Sequence, residues 1–335
     1  MSVVQTTSSL SPRALAFYKR EAIETARALL TYAKWGVKEP MKENTGKQIN
    51  FVRYDKLAAA TTPLAEGVTP VGNRLVKHEV TADLAQYGDW VGVSDVVTLV
   101  NFDPELTRAV KELGEQEGLT IDTILRDALL QGTNEVYANK KTARTAVADT
   151  IQKADIQKIV RAFESNNVKK ITAMINPSTG VATQPIEPAY IAIGHTDLRT
   201  DLENLKSVGF VPVHEYASQS KVFEGEVGKL CGVRFILTSN APVFAGAGTT
   251  PSTGVQATGG HTDVYAIVIF GRDAYAEVPL NKATSGVIIK AKTKDDTKDS
   301  SDPLNQRNTA AWKCMYSALI LDDTRLARYE CGVSE

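Results

Sequence analysis

Between Gln48 and Thr81 the chain alternates, pauses and alternates again. In QINFVRY (Gln48–Tyr54), Ile49, Phe51 and Arg53 fall on one face. In RLVKHEVT (Arg74–Thr81), Leu75, Lys77 and Glu79 oppose Val76, His78 and Val80. A period of two predicts strands. The connection between them, AAATTPLAEGVTPVGN (Ala58–Asn73), has two prolines and neither a helical period nor an apolar face. A compact domain rarely carries so long a connection without structure unless the connection has a job. Charges on one or both faces of the flanking strands make them a poor core pair, so the pattern predicts a hairpin that projects from the body. A further strand is expected near Trp90–Val96.

Helical periods lie on either side. Ser11-Pro12 reads as an N-cap and first-turn proline. Leu15, Tyr18, Ala22, Ala26, Leu29 and Ala33 follow at helical spacing, with Gly36 as the stop. The polar residues before Ser11 are expected to be a flexible tail. Asp103-Pro104 opens a second helix, whose stripe is Leu106, Val110, Leu113, Glu117, Ile121, Ile124 and Ala128. Continued to about Gly132, it spans roughly 45 Å at about 1.5 Å per residue. Gly114 and Gly118 each cost it roughly 1 kcal/mol relative to alanine and mark a bend or a close crossing by another segment.

After Thr150 the pattern is mixed. Ile156, Ile159, Val160 and Phe163 form a helical face, and Ala189–Ile193 is strand-like. Thr196 reads as the cap of a helix bearing Leu198, Leu202 and Leu205, with Gly209 beyond its end. Gly232–Thr238, Val264–Phe270 and Gly286–Ala291 are strand candidates. Gly246–Asp263, rich in Gly and Thr, and the charged Lys292–Asp302 are expected to be solvated, mobile loops. Ala310–Leu321 reads as a long strand, Asp322-Asp323 as a turn, and Leu326–Glu330 as a short return. No repeat period is present.

Composition adds bounds. The 335 residues allow one large or two modest domains. With 43% hydrophobic and 23% charged residues the chain has an ordinary globular balance. A net charge of -1 argues against an equilibrium binder of DNA phosphates, which carries a basic excess. The first residues lack the basic start and apolar stretch of a signal peptide. No apolar run reaches the roughly 18 residues of a membrane span. Cys231, Cys314 and Cys331 are far apart and in no CxxC pair, which points to buried structural thiols rather than a disulfide framework or a zinc site.

Catalytic signatures are missing. GEVGKL (Gly225–Leu230) has the wrong spacing for a phosphate loop and no Ser or Thr after Lys229, so it reads as a turn between strands. His78, His195, His214 and His261 are isolated, without metal-ligand spacing. His195 with Asp197 is explained by a helix start, and no GxSxG elbow occurs. Arg53, Lys56, Arg74 and Lys77 gather at the hairpin. They read either as solubilising charge on an exposed strand pair or as salt-bridge donors to a neighbouring subunit.

Four stretches carry a resemblance: VRYDKLAAATTPLAEGVTP (Val52–Pro70), LGEQEGLTIDTILRDALLQGTNEVYAN (Leu113–Asn139), GEVGKLCGVRFILTSNA (Gly225–Ala241) and DPLNQRNTAAWKCMYSALILDDTRLARYECG (Asp302–Gly332). In these stretches and in its element order the chain resembles the bacteriophage major capsid proteins of the Hong Kong 97 fold. The resemblance implies an α+β fold with an N-terminal arm over residues 1–46 and an extended hairpin loop, the E-loop, over 47–95. It implies a peripheral domain with a spine helix over 96–152, an axial domain over 153–302, and strands returning to the peripheral domain over 303–335.

The implied function is a shell of hexamers and pentamers, an icosahedral head enclosing double-stranded DNA as non-specific cargo, with no catalytic, cofactor or metal site. The expected location is the virion, after assembly in the host bacterial cytoplasm. Arg53, Pro63, Leu64, Gly67, Pro70 and Arg74 are the expected E-loop contacts to a neighbouring subunit. Too few residues precede the hairpin for a fused scaffolding segment, so a separate scaffolding protein or unaided assembly is expected. A portal and a decoration protein are further expected partners. Two other readings stand beside this one: an encapsulin-like nanocompartment shell, and a soluble α/β enzyme with residues 58–73 as a lid.

Overall fold

The computed structural model describes residues 30–41, 46–55, 57–63, 67, 69, 72–94, 105–175, 183–216, 222–279, 286–290 and 306–335. The fold is α+β, and two larger sheets organise the described residues. The first is nine-stranded. Along its path lie Glu135–Tyr137, Leu326–Cys331, Val264–Phe270, Thr183–His195, Val233–Thr238, Glu226–Leu230 and Val211–Pro212. Val264–Phe270 (VYAIVIF) is apolar throughout because it is buried throughout, lying between Thr183–His195 and Leu326–Cys331. The helix Lys153–Ser165 buries Ile156, Ile159 and Phe163 in the core on this sheet, the face its spacing predicted.

The second sheet is five-stranded, built on the long closing strand Arg307–Ile320. Ala310, Trp312, Cys314 and Tyr316 alternate into the core, as a half-buried strand requires. Ala85–Ser94 pairs antiparallel along Arg307–Tyr316, and Tyr275–Pro279 and Gly286–Lys290 also pair with the closing strand. Against this sheet packs the long helix, Glu105–Leu129.

The helix is where expected, but its buried line is rotated. Val110, Leu113, Gly114, Gly118, Asp122, Leu125 and Leu129 are buried, whereas Glu117, Ile121, Ile124 and Ala128 are only partly covered. The helix runs unbroken through both glycines, which lie in its buried face. The predicted start at Asp103 lies outside the described residues.

Four expectations are corrected. Helix does not extend to Gly36: Tyr32–Lys34 is one 3-10 turn followed by a short strand, Val37–Lys38. Residues 11–29 of that predicted helix lie outside the described residues, as does the loop Lys292–Asp302. The cap before Leu198 is His195, not Thr196, because the His195 Nδ1 accepts the Asp197 N–H at 3.3 Å. GEVGKL is no turn: Glu226–Leu230 is a strand in the first sheet. Its Gly228 is required by close approach, since a Cβ there would lie 2.6 Å from the Val211 carbonyl oxygen and 2.4 Å from the Phe210 ring. Finally, Gly246–Asp263 is pinned rather than mobile. The Thr249 and Gly248 N–H groups donate to Val147 and Thr262 carbonyls, Asp263 Oδ1 accepts from Gly246 N at 2.6 Å, and Val255 is buried.

The segment leading into the hairpin is fixed by a carboxylate. Asp122, fully buried on the long helix, accepts the N–H groups of Thr31 and Tyr32 on Oδ1 at 2.8 and 2.7 Å, and Asn240 Nδ2 on Oδ2 at 3.0 Å. Asn240 is itself committed: its Oδ1 accepts from Arg126 Nη1 at 3.0 Å and from Thr123 Oγ1 at 3.3 Å. The Tyr275 hydroxyl donates to the Tyr32 carbonyl at 2.6 Å. Val37–Lys38 then pairs parallel with Ala276 and Glu277, and the Met41 N–H donates to the Pro279 carbonyl. The chain thus reaches the hairpin along the edge of the second sheet.

Candidate assembly interface

Gln48–Tyr54 pairs antiparallel with Lys77–Asp83, from Gln48 opposite Asp83 to Tyr54 opposite Lys77. The pair forms its own two-stranded sheet. Ile49, Phe51 and Arg53 face inward, as their alternation predicts. Ile49 and Phe51 pack on Met41, Ala82, Leu84 and Val278 and seat the hairpin base. Asn50 and Thr81 bond across the strands at 2.9 Å, and His78 Nε2 lies 2.8 Å from Asp55 Oδ2.

Beyond Arg53 the apolar residues lose their cover. Tyr54, Leu57, Leu75 and Val76 are 56%, 56%, 57% and 52% exposed. The second strand begins at Lys77 rather than Arg74, so Leu75 and Val76 stand outside the ladder. The outer part of the hairpin thus carries a cluster of exposed apolar side chains.

Of the six expected contact residues, Pro63, Gly67 and Arg74 are exposed in the outer part of this arm. Gly67 takes a left-handed φ of 78°, a turn conformation that favours glycine. Arg74 makes no hydrogen bond or ion pair to a described residue. Leu64 and Pro70 lie outside the described residues. Arg53 differs from the rest: its guanidinium meets Asp322 of its own chain, Nη1 to Oδ1 at 2.6 Å.

Asp322 sits on the turn after the closing strand. Burial alone would raise its carboxyl, but the Thr324 hydroxyl and amide and the Arg53 guanidinium outweigh it and hold the group below the usual carboxylate range. A lowered folded-state pKa contributes stability that is present above the unfolded value and lost as pH falls through the folded one. The stability difference between the native chain and Asp322→Asn is therefore expected to be constant near neutrality and to shrink below about pH 4, the ordinary carboxylate value. Urea unfolding across that range measures it. A difference that stays constant down to about pH 2 would contradict the assignment.

A second exposed surface carried no sequence signal beyond a strand. Trp90 on Ala85–Ser94 is 60% exposed. It borders an open cavity of about 600 Å³ with Tyr87, Thr309, Ala311 and Trp312. The floor is ordered by a relay in which Trp312 Nε1 donates to Gln116 Oε1 at 2.9 Å and Gln116 Nε2 donates to Asp89 Oδ2 at 2.7 Å. Only the pairing of strands distant in sequence brings these groups together.

Among the described residues His78, His195 and the cysteines take structural places. Among the described residues no group of three His, Cys, Asp or Glu side chains could hold a metal ion. His195 and Asp197 serve a turn, with Asp197 Oδ2 accepting the Tyr265 hydroxyl at 3.0 Å. All three cysteines are free; Cys314 and Cys331 are buried, while Cys231 is partly exposed. No described helix is long and apolar enough to cross a membrane.

Comparison with known proteins places the fold. The chain is similar to the capsid of Ralstonia phage GP4, at 12% identity over 91% of this chain and 92% of that one, with a TM-score of 0.67. It is similar to the capsid protein of Cyanophage Pam1, at 12% identity over 100% and 98%, with a TM-score of 0.60. It is also similar to the SrpI encapsulin of Synechococcus elongatus PCC 7942, at 11% identity over 100% and 94%, with a TM-score of 0.53. At such identities these likenesses establish the fold, which is that of the Hong Kong 97 capsid proteins. No curated protein sequence matches the chain. A family model described as phage capsid protein matches residues 79–328, most of the chain, and on that match the chain belongs to the phage capsid protein family.

Proposed function

We propose that this chain is the major capsid protein of a bacteriophage head, a structural rather than a catalytic protein. In this reading it assembles into the hexamers and pentamers of an icosahedral shell around double-stranded DNA. The observation that carries the reading is the hairpin arm, whose outer apolar side chains are exposed and whose Arg74 finds no partner among the described residues. A heterologous contact, arm of one subunit onto the body of the next, closes into rings by symmetry. Exposed strand and tip groups that are satisfied only on a neighbour supply affinity without a preformed pocket.

The boundaries 1–46, 47–95, 96–152, 153–302 and 303–335 are our division of the chain into arm, E-loop, peripheral domain, axial domain and closing strands. A net charge of -1 suits a wall that encloses DNA without gripping it, since strong phosphate binding would oppose packing and release. We assign a separate scaffolding protein or unaided assembly, a portal and a decoration protein as partners, and the host cytoplasm as the place of assembly. The similarity to an encapsulin favours one second reading, a nanocompartment shell around an enzyme.

Electron microscopy of the purified chain, and of particles from its native source, tests both. Closed shells filled with DNA are expected from the native source. Shells filled with a protein cargo would move the assignment to the nanocompartment. Discrete monomers under every assembly condition, together with a catalytic turnover, would overturn both.

A further inference from the structure

The hairpin meets the body at two separated points. Its base is seated by the Ile49 and Phe51 side chains. Farther out, Arg53 reaches back to Asp322 at 2.6 Å. Between hairpin and body lies an open cleft of about 580 Å³, walled by Arg53, His78 and Val80 on one side and Gln131, Leu319 and Asp322 on the other.

Asp322 is prepared to receive a cation. Its Oδ1 accepts the Thr324 amide and hydroxyl at 3.1 and 2.7 Å, and its Oδ2 lies 3.0 Å from Arg325 Nε. The Asp322 N–H donates to the Ala274 carbonyl at 3.2 Å, so the turn itself is tied to the body. The Asp322 side chain is 8% exposed, whereas that of Arg53 is 37% exposed. The acceptor is held by its own turn, and the donor is the more exposed partner.

We propose that the Arg53–Asp322 pair is an intrachain latch that sets the angle at which the hairpin leaves the body, making Asp322 a positioning residue for shell assembly. The proposal rests on the reading that the hairpin meets a neighbouring subunit. A two-stranded ribbon seated on one small apolar base pivots about that base. A polar contact across an open cleft fixes the pivot without filling the cleft. Because Arg53 is about one-third in solvent and belongs to no core cluster, the pair opens without unpacking a core, so the arm can take the different tilts that five- and six-membered rings demand. The sequence pattern suggested Arg53 as a donor to another chain; the geometry points to a donor within its own.

The test uses the full-length chain before assembly, with spin labels at Tyr54→Cys and Lys111→Cys in a Cys231→Ser background. The hairpin-to-helix distance distribution is measured by pulsed dipolar spectroscopy in the native latch, in Arg53→Gln and in Asp322→Asn. Both latch variants are expected to broaden the distribution alike, with the unfolding temperature nearly unchanged in Arg53→Gln and lowered in Asp322→Asn, which also releases Thr324 and Arg325. An unchanged distribution overturns the latch.

Shell yield of the unlabelled variants separates the two ideas. We expect a fall of at least tenfold for both. A broadened distribution with full shell yield keeps the latch and removes the hairpin from assembly. A sharp, native distribution with lost shells removes the latch and returns Arg53 to a contact between chains.

Discussion

Deletion of Pro63–Gly72 is expected to leave a folded, soluble subunit that makes no shells. None of the described residues in this stretch is buried, and none belongs to a core cluster. The ladder from Gln48 opposite Asp83 to Tyr54 opposite Lys77 lies wholly outside the deletion. Shortening a loop costs little, because closure entropy changes by only about 0.6 kcal/mol per doubling of length. Thermal unfolding should therefore move by a few degrees at most.

Assembly should respond differently. Losing the central contact of an interface typically costs at least about 2 kcal/mol. That is a factor of about 30 in each subunit–subunit equilibrium, since roughly 1.4 kcal/mol is tenfold. A closed shell multiplies this factor over every copy, so its yield should fall below detection. Sedimentation and negative-stain microscopy measure it. Normal particles from the deleted chain would remove the hairpin tip from the interface.

The second large effect concerns stability. Asp122→Ala removes the acceptor of two backbone N–H groups and of Asn240 Nδ2 in a fully buried place. Each orphaned buried donor costs about 1–3 kcal/mol. Burial pushes the Asp122 carboxyl above its usual range even though Asn240 and the backbone amides pull it down, so the charge is itself costly and offsets part of that sum. A net loss of about 3 kcal/mol is expected, a fall of roughly 5–10 °C in unfolding temperature.

Asp122→Asn should fall between. It keeps an acceptor for Thr31 and Tyr32 but sets one amide nitrogen against another, and Asn240 cannot turn over without abandoning Arg126 and Thr123. Pairing Asp122→Asn with Asn240→Asp restores every donor to an acceptor and should recover most of the loss. Calorimetry of the set decides it. If the double variant is no better than Asp122→Asn alone, Asp122 does not act through Asn240.

Much of the fold was legible because it is periodic. Gln48–Tyr54 and Val264–Phe270 were bounded to the residue, since a strand that is half buried or wholly buried says so in its own alternation. Ala310–Leu321 read as a long strand, and the strand observed is Arg307–Ile320, with Ala310, Trp312, Cys314 and Tyr316 on its buried face. Isolated glycines and capping residues were less legible. Gly228 is needed for a neighbour's approach, not for a turn, and His195 caps through a ring nitrogen rather than through the hydroxyl that Thr196 offered.

The projecting hairpin was likewise legible, because charged residues on the faces of two adjacent strands cannot line a core. What those charges do was not. Arg53 and Arg74 read alike as exposed cations, yet Arg53 finds Asp322 at the far end of the chain, and Arg74 finds no described partner. Asp122 fell one position off the predicted apolar stripe and proved fully buried, because the donors that make its burial tolerable come from Thr31, Tyr32 and Asn240.

The sequence by itself determined the most regularly patterned strands, the long helix and the exposed hairpin, since local period and charge require no knowledge of the neighbours. Only the tertiary structure decided which carboxylates hold that arm. A buried or bridged charge takes its meaning from groups dozens to hundreds of residues away, and no local pattern records them.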